Sequence, residues 1–310
     1  MQTILGSGGA IANVLAKELL AYTKDIQLVS RNPIKVNETD TLLALDLCDK
    51  QGVIKALAGC EVAYLTVGLP YDLKTWQTKW PVIMQNTIEA CLANNCRLVF
   101  FDNIYMYDGN DLSNMTESMP LNPPSEKGKI RKQIVDALFE AVNQKGLKAL
   151  VARSADFYGP GIKQTSMLTE TVVKPLSTGS TANWLMGDGF KHAFTYTLDA
   201  GKACAILGNS TDAYGEVWHL PTATNPPTGK QWVEAFASQL KAKPKYRVVG
   251  KGFVRFLGLF IPAMRESVEM LYQYNRDYVF NSQKFDSKYN FKPTPYLDGI
   301  KHIVDADYKK

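Results

Sequence analysis

The 310-residue sequence is poor in the residues that build metal sites and disulfide frameworks. Its three histidines lie far apart, without a second ligand at helical spacing, so we expect no metal site. Its five cysteines form an odd set without a C-x-x-C pair, and the chain starts with a predicted strand rather than a secretory signal. These features are typical of a reducing compartment, and we expect a cytoplasmic protein.

Strong charge imbalance and long apolar runs are missing too. The net charge of +5 is modest for this length and the basic residues are scattered, so we expect no nucleic-acid partner. The longest apolar run, residues 253–264, is broken by Arg255 and Pro262 and is too short to span a bilayer. We predict a buried helix or pocket wall there, and no membrane partner. The densest basic stretch, residues 241–255, is predicted to be a solvated face.

The first twenty residues hold the most informative pattern. A short apolar strand, residues 3–5, runs into a glycine-rich turn that opens a helix. Glycines allow a tight turn and let the backbone approach phosphates, while the helix N-terminus supplies free N–H groups. We therefore predict that the turn binds the pyrophosphate of a dinucleotide, the alternative being a turn with a purely conformational role. The predicted cofactor contacts here are Gly6, Gly8, Gly9, Ala10 and Ile11.

The end of the second predicted strand indicates which dinucleotide is bound. An NAD-binding protein usually places an acidic residue there to accept a hydrogen bond from the ribose 2′-OH. This chain has Arg31 instead, and its guanidinium group would suit a 2′-phosphate. We predict NADP, with NAD as the second option; the alternative is that Arg31 is an ordinary surface arginine ending a strand.

Strand and helix patterns alternate through the first half of the chain. The strands are continuous apolar runs such as VAYLTV and RLVFF, which predict a parallel, doubly wound, Rossmann-like sheet covered by helices on both faces. Predicted helices include residues 80–94 and 127–144. Ligands bind at the carboxyl ends of such strands, so Asp46, Thr66 and Gly68 are further candidate cofactor contacts.

Composition shifts toward shorter elements after the motif that ends at Gly161. We predict an NAD(P)-binding domain over residues 1–160 and a smaller substrate-binding domain over residues 161–310. Residues 190–220, approximately, are expected to return to the first domain.

Six motifs occur in one order along the chain: GSGGAIA, DNIYMYDG, EKGKIRKQ, ARSADFYGPG, FTYTLDAGKA and NFKPTPYLDGI. With them the chain resembles the extended short-chain dehydrogenase/reductase superfamily, in its NAD-dependent epimerase/dehydratase family, over nearly its whole length. The resemblance implies a Rossmann fold, a nicotinamide cofactor and a small-molecule substrate. It also implies that Ser154 and Phe157 lie near the nicotinamide carboxamide, and that a homodimer through the long helices is one option.

The resemblance breaks at the catalytic motif. Family members use a Tyr-x-x-x-Lys pair and an upstream Ser or Thr. Here Lys127 stands at the tyrosine position and Arg131 at the lysine position, while Asn103 occupies the serine position, four residues before Tyr107. Arg131 could still hold ribose hydroxyls and Asn103 could still donate to a carbonyl, but neither replaces the tyrosine as proton donor.

Three options therefore stay open for the chemistry. Lys127 could carry the proton, favoured by burial and by the neighbouring Arg131. Alternatively a tyrosine of the neighbouring loop, Tyr105 or Tyr107, could do so. The third option is that no conventional hydride chemistry occurs. We accordingly predict an NAD(P)-dependent epimerase- or dehydratase-like oxidoreductase acting on a small carbonyl or sugar-derived substrate; the alternative is a non-catalytic NADP(H)-binding sensor or regulatory protein.

Overall fold

The computed structural model describes residues 1–162 and 166–309. Its strands are β1 (Gln2–Leu5), β2 (Ile26–Ser30), β3 (Thr41–Ala44), β4 (Val62–Leu65), β5 (Arg97–Asp102), β6 (Ala149–Arg153), β7 (Phe157–Tyr158), β8 (Ala182–Leu185), β9 (Thr195–Tyr196), β10 (Val217–His219) and β11 (Tyr246–Val249). Its α-helices are α1 (Ala10–Glu18), α2 (Lys50–Ala56), α3 (Leu73–Ala93), α4 (Glu126–Lys145), α5 (Lys174–Ser177), α6 (Thr197–Asn209), α7 (Gly229–Gln239), α8 (Lys251–Leu257), α9 (Pro262–Ser267), α10 (Gln283–Lys288) and α11 (Tyr296–Asp307).

Seven parallel strands form the central sheet, in the order β10-β6-β5-β4-β1-β2-β3. Every residue of β4 and β6 is buried, because helices cover both faces of the sheet. The order reverses between β1 and β4, and ligands of such sheets bind at that reversal, outside the carboxyl ends of the strands. The prediction of a Rossmann-like doubly wound sheet is confirmed.

The chain divides into two compact units. Unit 1 consists of residues 1–106, 126–154 and 200–220, and contains the seven-stranded sheet. Unit 2 consists of the described parts of residues 107–125, 155–199 and 221–310. As separate domains, the halves 1–160 and 161–310 stay predictions.

Helix α3 begins seven residues before the predicted start at residue 80. The Asp72 side chain caps it, accepting a hydrogen bond from the Thr75 backbone N–H at 2.8 Å. This cap brings Trp76 into the helix, and both Trp76 and Trp80 are buried. The earlier start thereby places two indole rings on one face of α3.

Unit 2 has its own core and two short parallel strand pairs, β8 with β11 and β7 with β9. Large aromatic side chains dominate this core, including Tyr158, Trp184, Phe194 and Trp232. Such side chains bury the most apolar area per residue, which allows short elements to hold a stable core.

The prediction that residues 253–264 form a buried helix or pocket wall is wrong for most of the apolar side chains in this segment. The segment forms α8 and the start of α9, and five large apolar residues between 253 and 261 are exposed. No helix in the described part of the chain combines the length and apolar character that crossing a bilayer requires.

Asp286 in α10 is a half-buried carboxylic acid of unit 2. Burial raises the pKa of Asp286 to about 6, and the negative charges of Asp199 and Glu117 act in the same direction. The Ser282 hydroxyl donates to Asp286 Oδ2 at 2.8 Å and offsets part of this effect. Because the fold favours the neutral acid, ionisation costs stability as the pH rises from about 4 to about 6.

Replacement Asp286→Asn should therefore stabilise the protein at pH 8, since the amide stays neutral and can still accept from Ser282. We expect a gain of about 1 kcal/mol, discounted from the full shift because the group is half exposed, and hence a rise in Tm of roughly 2–4 °C. Thermal unfolding at pH 8 and pH 4 measures it, and the gain should vanish at pH 4. A Tm difference that is the same at both pH values would contradict the assignment.

Candidate functional site

The glycine turn of unit 1 is held tightly between strands. Gly6 has a φ of +99°, and a Cβ atom there would lie 2.3 Å from the Val67 Cα, so only glycine fits. The backbone N–H groups of Gly6 and Ser7 donate to the Val29 carbonyl at 2.8 and 3.1 Å. These bonds fix the turn to the end of β2, the strand that leads to Arg31.

The N-terminus of α1 fits a phosphate group. Gly9 is the N-cap, and among residues 1–162 and 166–309 no side chain caps this helix end. A Cβ atom at Gly9 would meet nothing within 4 Å, so the space over the helix end is open. The Ser7 Oγ is buried and has no hydrogen-bond partner within the described residues. Free helix N–H groups beside a buried, unpartnered hydroxyl would suit an anionic pyrophosphate.

Two further predicted cofactor positions follow β4 at the same sheet edge. The Thr66 N–H donates to the Leu5 carbonyl at 2.9 Å, which places Thr66 beside the glycine turn. Nothing would obstruct a Cβ atom at Gly68 within 4 Å, so the backbone there is open to a ligand.

Arg31 and Asp46 follow the neighbouring strands β2 and β3. Arg31 is exposed. The pKa of Asp46 is lowered chiefly by a hydrogen bond from the Cys48 backbone N–H at 2.9 Å, and the positive charge of Arg31 contributes. Asp46 is therefore close enough to Arg31 to interact with it electrostatically, and both are accessible from solvent.

A buried ion cluster contains Arg131, the residue predicted to stand at the position of the family lysine. Arg131 on α4 donates from Nε to Asp102 Oδ1 at 2.8 Å, and its Nη2 pairs with the same oxygen. Arg153 at the end of β6 donates from Nη2 and Nε to Asp102 Oδ2 at 3.2 and 3.3 Å. All three side chains are buried. One carboxylate thus binds two guanidinium groups, joining α4 to the carboxyl ends of β5 and β6.

Aromatic rings surround the Arg131 guanidinium group. Its Cζ lies 4.3 Å from the Trp80 ring centroid, 4.9 Å from that of Phe100 and 6.0 Å from that of Trp76. Cation–π attraction at such distances stabilises a positive charge that has left water. The structure therefore places Arg131 in a buried ion pair, and a contact from Arg131 to a ribose stays a prediction.

Lys127 is buried in the first turn of α4, one helical turn before Arg131. Its Nζ lies 4.7 Å from the centroid of the Tyr71 ring. The positive charge of Lys127 is also near Asp72, where it contributes to the lowered pKa of that carboxyl; the main cause there is the hydrogen bond with Thr75. The structure thus brings Lys127 and Arg131 onto one side of α4, as their spacing predicts.

The loop after β5 carries the remaining candidates of the family motif. Asn103 accepts a hydrogen bond from the Tyr105 N–H at 3.0 Å, which shapes the loop and leaves the side-chain amide nitrogen as the possible donor to a substrate. The Tyr105 ring stacks on Trp76 at 6.2 Å. Tyr107, which belongs to unit 2, is fully buried.

The predicted carboxamide neighbours follow β6. Ser154 is buried, and its N–H donates to the Asp102 carbonyl at 2.9 Å. Phe157 belongs to unit 2, where it pairs with Thr195 in the short β7–β9 ladder. The roles of both residues toward a cofactor stay predictions.

Unit 2 contains a polar cluster that the sequence motifs did not predict. Asp156 Oδ2 lies 3.1 Å from His192 Nε2 and accepts a hydrogen bond from the Tyr274 hydroxyl at 2.7 Å. The buried His192 ring is stacked between Tyr274 and Tyr278, with centroids 4.6 and 4.2 Å away. Asp156 itself is partly exposed, and both of these contacts are made by its Oδ2.

The sequence offered one weak signal for this cluster. His192 is one of only three histidines, and the acidic residue lies inside the ARSADFYGPG motif. Their separation of 36 residues hides the pairing from any local pattern.

Comparisons with known proteins give a family, a sequence relative and similar solved structures. A family model described as "NAD dependent epimerase/dehydratase family" matches residues 3–219. The 3beta-hydroxysteroid-dehydrogenase/decarboxylase isoform 2 of Arabidopsis thaliana is 24% identical over 305 residues, an alignment that covers 85% of this chain and 51% of that protein. The chain therefore spans about half the length of this curated relative.

Solved structures resemble the fold over nearly the full chain. UDP-glucose 4-epimerase from Thermus thermophilus, in complex with NAD, has a TM-score of 0.79 at 17% identity, and the match covers 99% of this chain and 98% of that one. The dTDP-glucose 4,6-dehydratase DesIV of Streptomyces venezuelae, with NAD and TYD bound, has a TM-score of 0.78 at 16% identity, and the match covers 98% and 96%. At these identities the likeness shows the shared fold.

Replacement Asp102→Ala should destabilise the protein strongly, because it leaves two buried guanidinium groups without their carboxylate. We expect a loss of about 3–5 kcal/mol in the free energy of unfolding, measured by denaturant titration. Asp136→Ala is the matched control, since it removes the carboxylate of an exposed pair with Lys132 on the same helix and should cost about 0.5 kcal/mol. Equal losses in the two variants would show that the buried cluster does not stabilise unit 1.

Proposed function

This chain belongs to the NAD-dependent epimerase/dehydratase family, and on that premise we propose that it is an NADP-dependent oxidoreductase or epimerase acting on a small carbonyl or sugar-derived substrate. The observation that carries the proposal is the open N-terminus of α1 behind the Gly6–Gly9 turn, with the unpartnered Ser7 hydroxyl beside it. When bound there, a nicotinamide dinucleotide supplies hydride transfer.

The preference for NADP rests on Arg31. It is exposed at the carboxyl end of β2, and the glycine turn is hydrogen-bonded to the same strand end through Val29. A guanidinium group can bind a 2′-phosphate through paired hydrogen bonds, whereas a ribose 2′-OH offers it little.

Proton transfer needs a group other than the family tyrosine. Lys127 has an ammonium group at that position and is buried against Tyr71, an environment that restricts it to few orientations. Tyr105, stacked on Trp76, is the phenol of the adjoining loop. A general acid must reach hydrogen-bond distance of the substrate, so single substitutions can separate the two.

The second candidate function is a non-catalytic NADP(H)-binding sensor or regulatory protein. It is favoured by the engagement of Arg131 with Asp102, since this arginine already has a buried carboxylate partner at the position of the family lysine. Such a protein would keep the glycine turn and Arg31 while lacking turnover.

Replacement Arg31→Ala should weaken NADPH binding at least tenfold and leave NADH binding within about twofold, because only NADPH has a 2′-phosphate. Isothermal titration calorimetry with both coenzymes measures the ratio. Lys24→Ala is the matched control: it removes the same charge from the exposed amino end of β2 and should change neither affinity. A wild-type protein that prefers NADH, or an unchanged ratio in Arg31→Ala, would overturn the assignment to NADP.

The wild-type protein should oxidise NADPH with at least one member of a panel of aldehydes, ketones, ketosteroids and nucleotide sugars, followed by absorbance. If Lys127 donates the proton, Lys127→Met should lower kcat about a hundredfold or more while NADPH affinity stays within about twofold. Lys129→Met, an exposed position on the same helix, is the control. Tyr105→Phe tests the other donor by the same measurement. Tight NADPH binding without turnover on the whole panel would favour the non-catalytic function.

A further inference from the structure

The segment of residues 251–261 in unit 2 exposes an unusual concentration of large apolar side chains. Phe256, Leu259 and Phe260 are 57%, 76% and 74% exposed, and Phe253 and Ile261 are exposed as well. The Phe256 and Phe260 rings touch each other edge to face, with centroids 5.7 Å apart. A group of adjacent exposed apolar residues of this kind marks an interaction surface.

Local packing explains why these side chains point outward. Of helix α8, Val254 is buried, where it packs in a small cluster with Val249 and Leu271. The helix ends at Gly258, and Pro262 begins α9 immediately after the exposed residues. One side of α8 is thus attached to unit 2, and its other side together with the following turn is left to solvent.

Basic residues are frequent in the sequence on both sides of the apolar residues and among them. Between Glu234 and Glu266 the sequence has no acidic residue and seven basic ones, all of them exposed: Lys241, Lys243, Lys245, Arg247, Lys251, Arg255 and Arg265. The Arg247 guanidinium group lies 5.6 Å from the centroid of the Phe253 ring, so cations and apolar side chains are interleaved.

We propose that residues 251–261 bind the surface of an anionic lipid bilayer, with the apolar side chains entering the headgroup boundary and the basic residues contacting lipid phosphates. Apolar side chains on one face, flanked by Lys and Arg, are the pattern of segments that lie in a membrane interface. Each Lys or Arg near an anionic membrane strengthens binding about fivefold, and the buried apolar area adds to this. The expectation of no membrane partner was based on the length of the apolar run, which is too short to span a bilayer; binding at the membrane surface does not require that length.

Charge favours lipid over a second copy of the chain. A symmetric dimer through this surface would bring the basic residues of one protomer toward those of the other, since the same patch lies on both sides. Like charges would then oppose the apolar contact, whereas anionic headgroups complement it.

Co-sedimentation of the full chain with vesicles tests the proposal. We expect binding to vesicles of mixed phosphatidylcholine and phosphatidylglycerol, weakened at least tenfold in pure phosphatidylcholine and weakened by added salt. The triple variant Phe256→Ser, Leu259→Ser, Phe260→Ser should lose binding at least tenfold. The double variant Lys251→Gln, Arg255→Gln should lose it by about tenfold or more on anionic vesicles.

Leu297→Ser is the matched control, because Leu297 is an exposed leucine on α11 of the same unit and should leave vesicle binding unchanged. Equal Tm values for the wild type and the variants verify folding. Absence of wild-type binding to anionic vesicles, or equal binding by the triple variant, would overturn the proposal. So would a wild-type dimer, seen by light scattering without lipid, that the triple variant converts to a monomer, since the surface would then bind a second copy. None of these three results depends on cofactor binding or turnover.

Discussion

The carboxylate of Asp102 is the interaction on which the centre of unit 1 depends. It binds both Arg131 and Arg153, and all three side chains are buried. Aromatic faces also stabilise the charge of Arg131, and Trp80 and Phe100 lie nearest to it. Desolvating three charged groups is costly, and the arrangement persists because both carboxylate oxygens are occupied.

The ion cluster limits what Arg131 can contact in the altered catalytic motif. A family lysine can approach a ribose because its compact ammonium group is carried on a flexible side chain. The guanidinium group of Arg131, in contrast, is planar, paired with Asp102 and packed between aromatic rings. Lys127, one turn earlier, is buried with its charge over Tyr71. The two side chains lie on one side of α4, and Arg131 is already paired with a carboxylate while Lys127 contacts an aromatic ring.

Local sequence patterns predicted the sheet and the glycine turn. They could not predict contacts between residues that are far apart in the sequence. Gly6 requires a positive φ, and continuous apolar strands require cover on both faces, so each leaves a signal in neighbouring residues. The prediction placed the start of α3 seven residues too late, because the helix continues through Pro81 and its N-cap is Asp72. Arg131 and Asp102 are 29 residues apart, and Tyr274 and Asp156 are 118 apart. No periodicity relates such positions.

The apolar run over residues 253–264 shows why composition alone predicts burial wrongly. Large apolar side chains are usually buried, but a short helix can bury only the face that meets a core, and in α8 that face is occupied by Val254. Chain direction, through Gly258 and Pro262, then decides where the following residues point. Exposed phenylalanines cost solubility unless another phase or partner covers them. The absence of acidic residues between Glu234 and Glu266 makes an anionic surface the complementary cover.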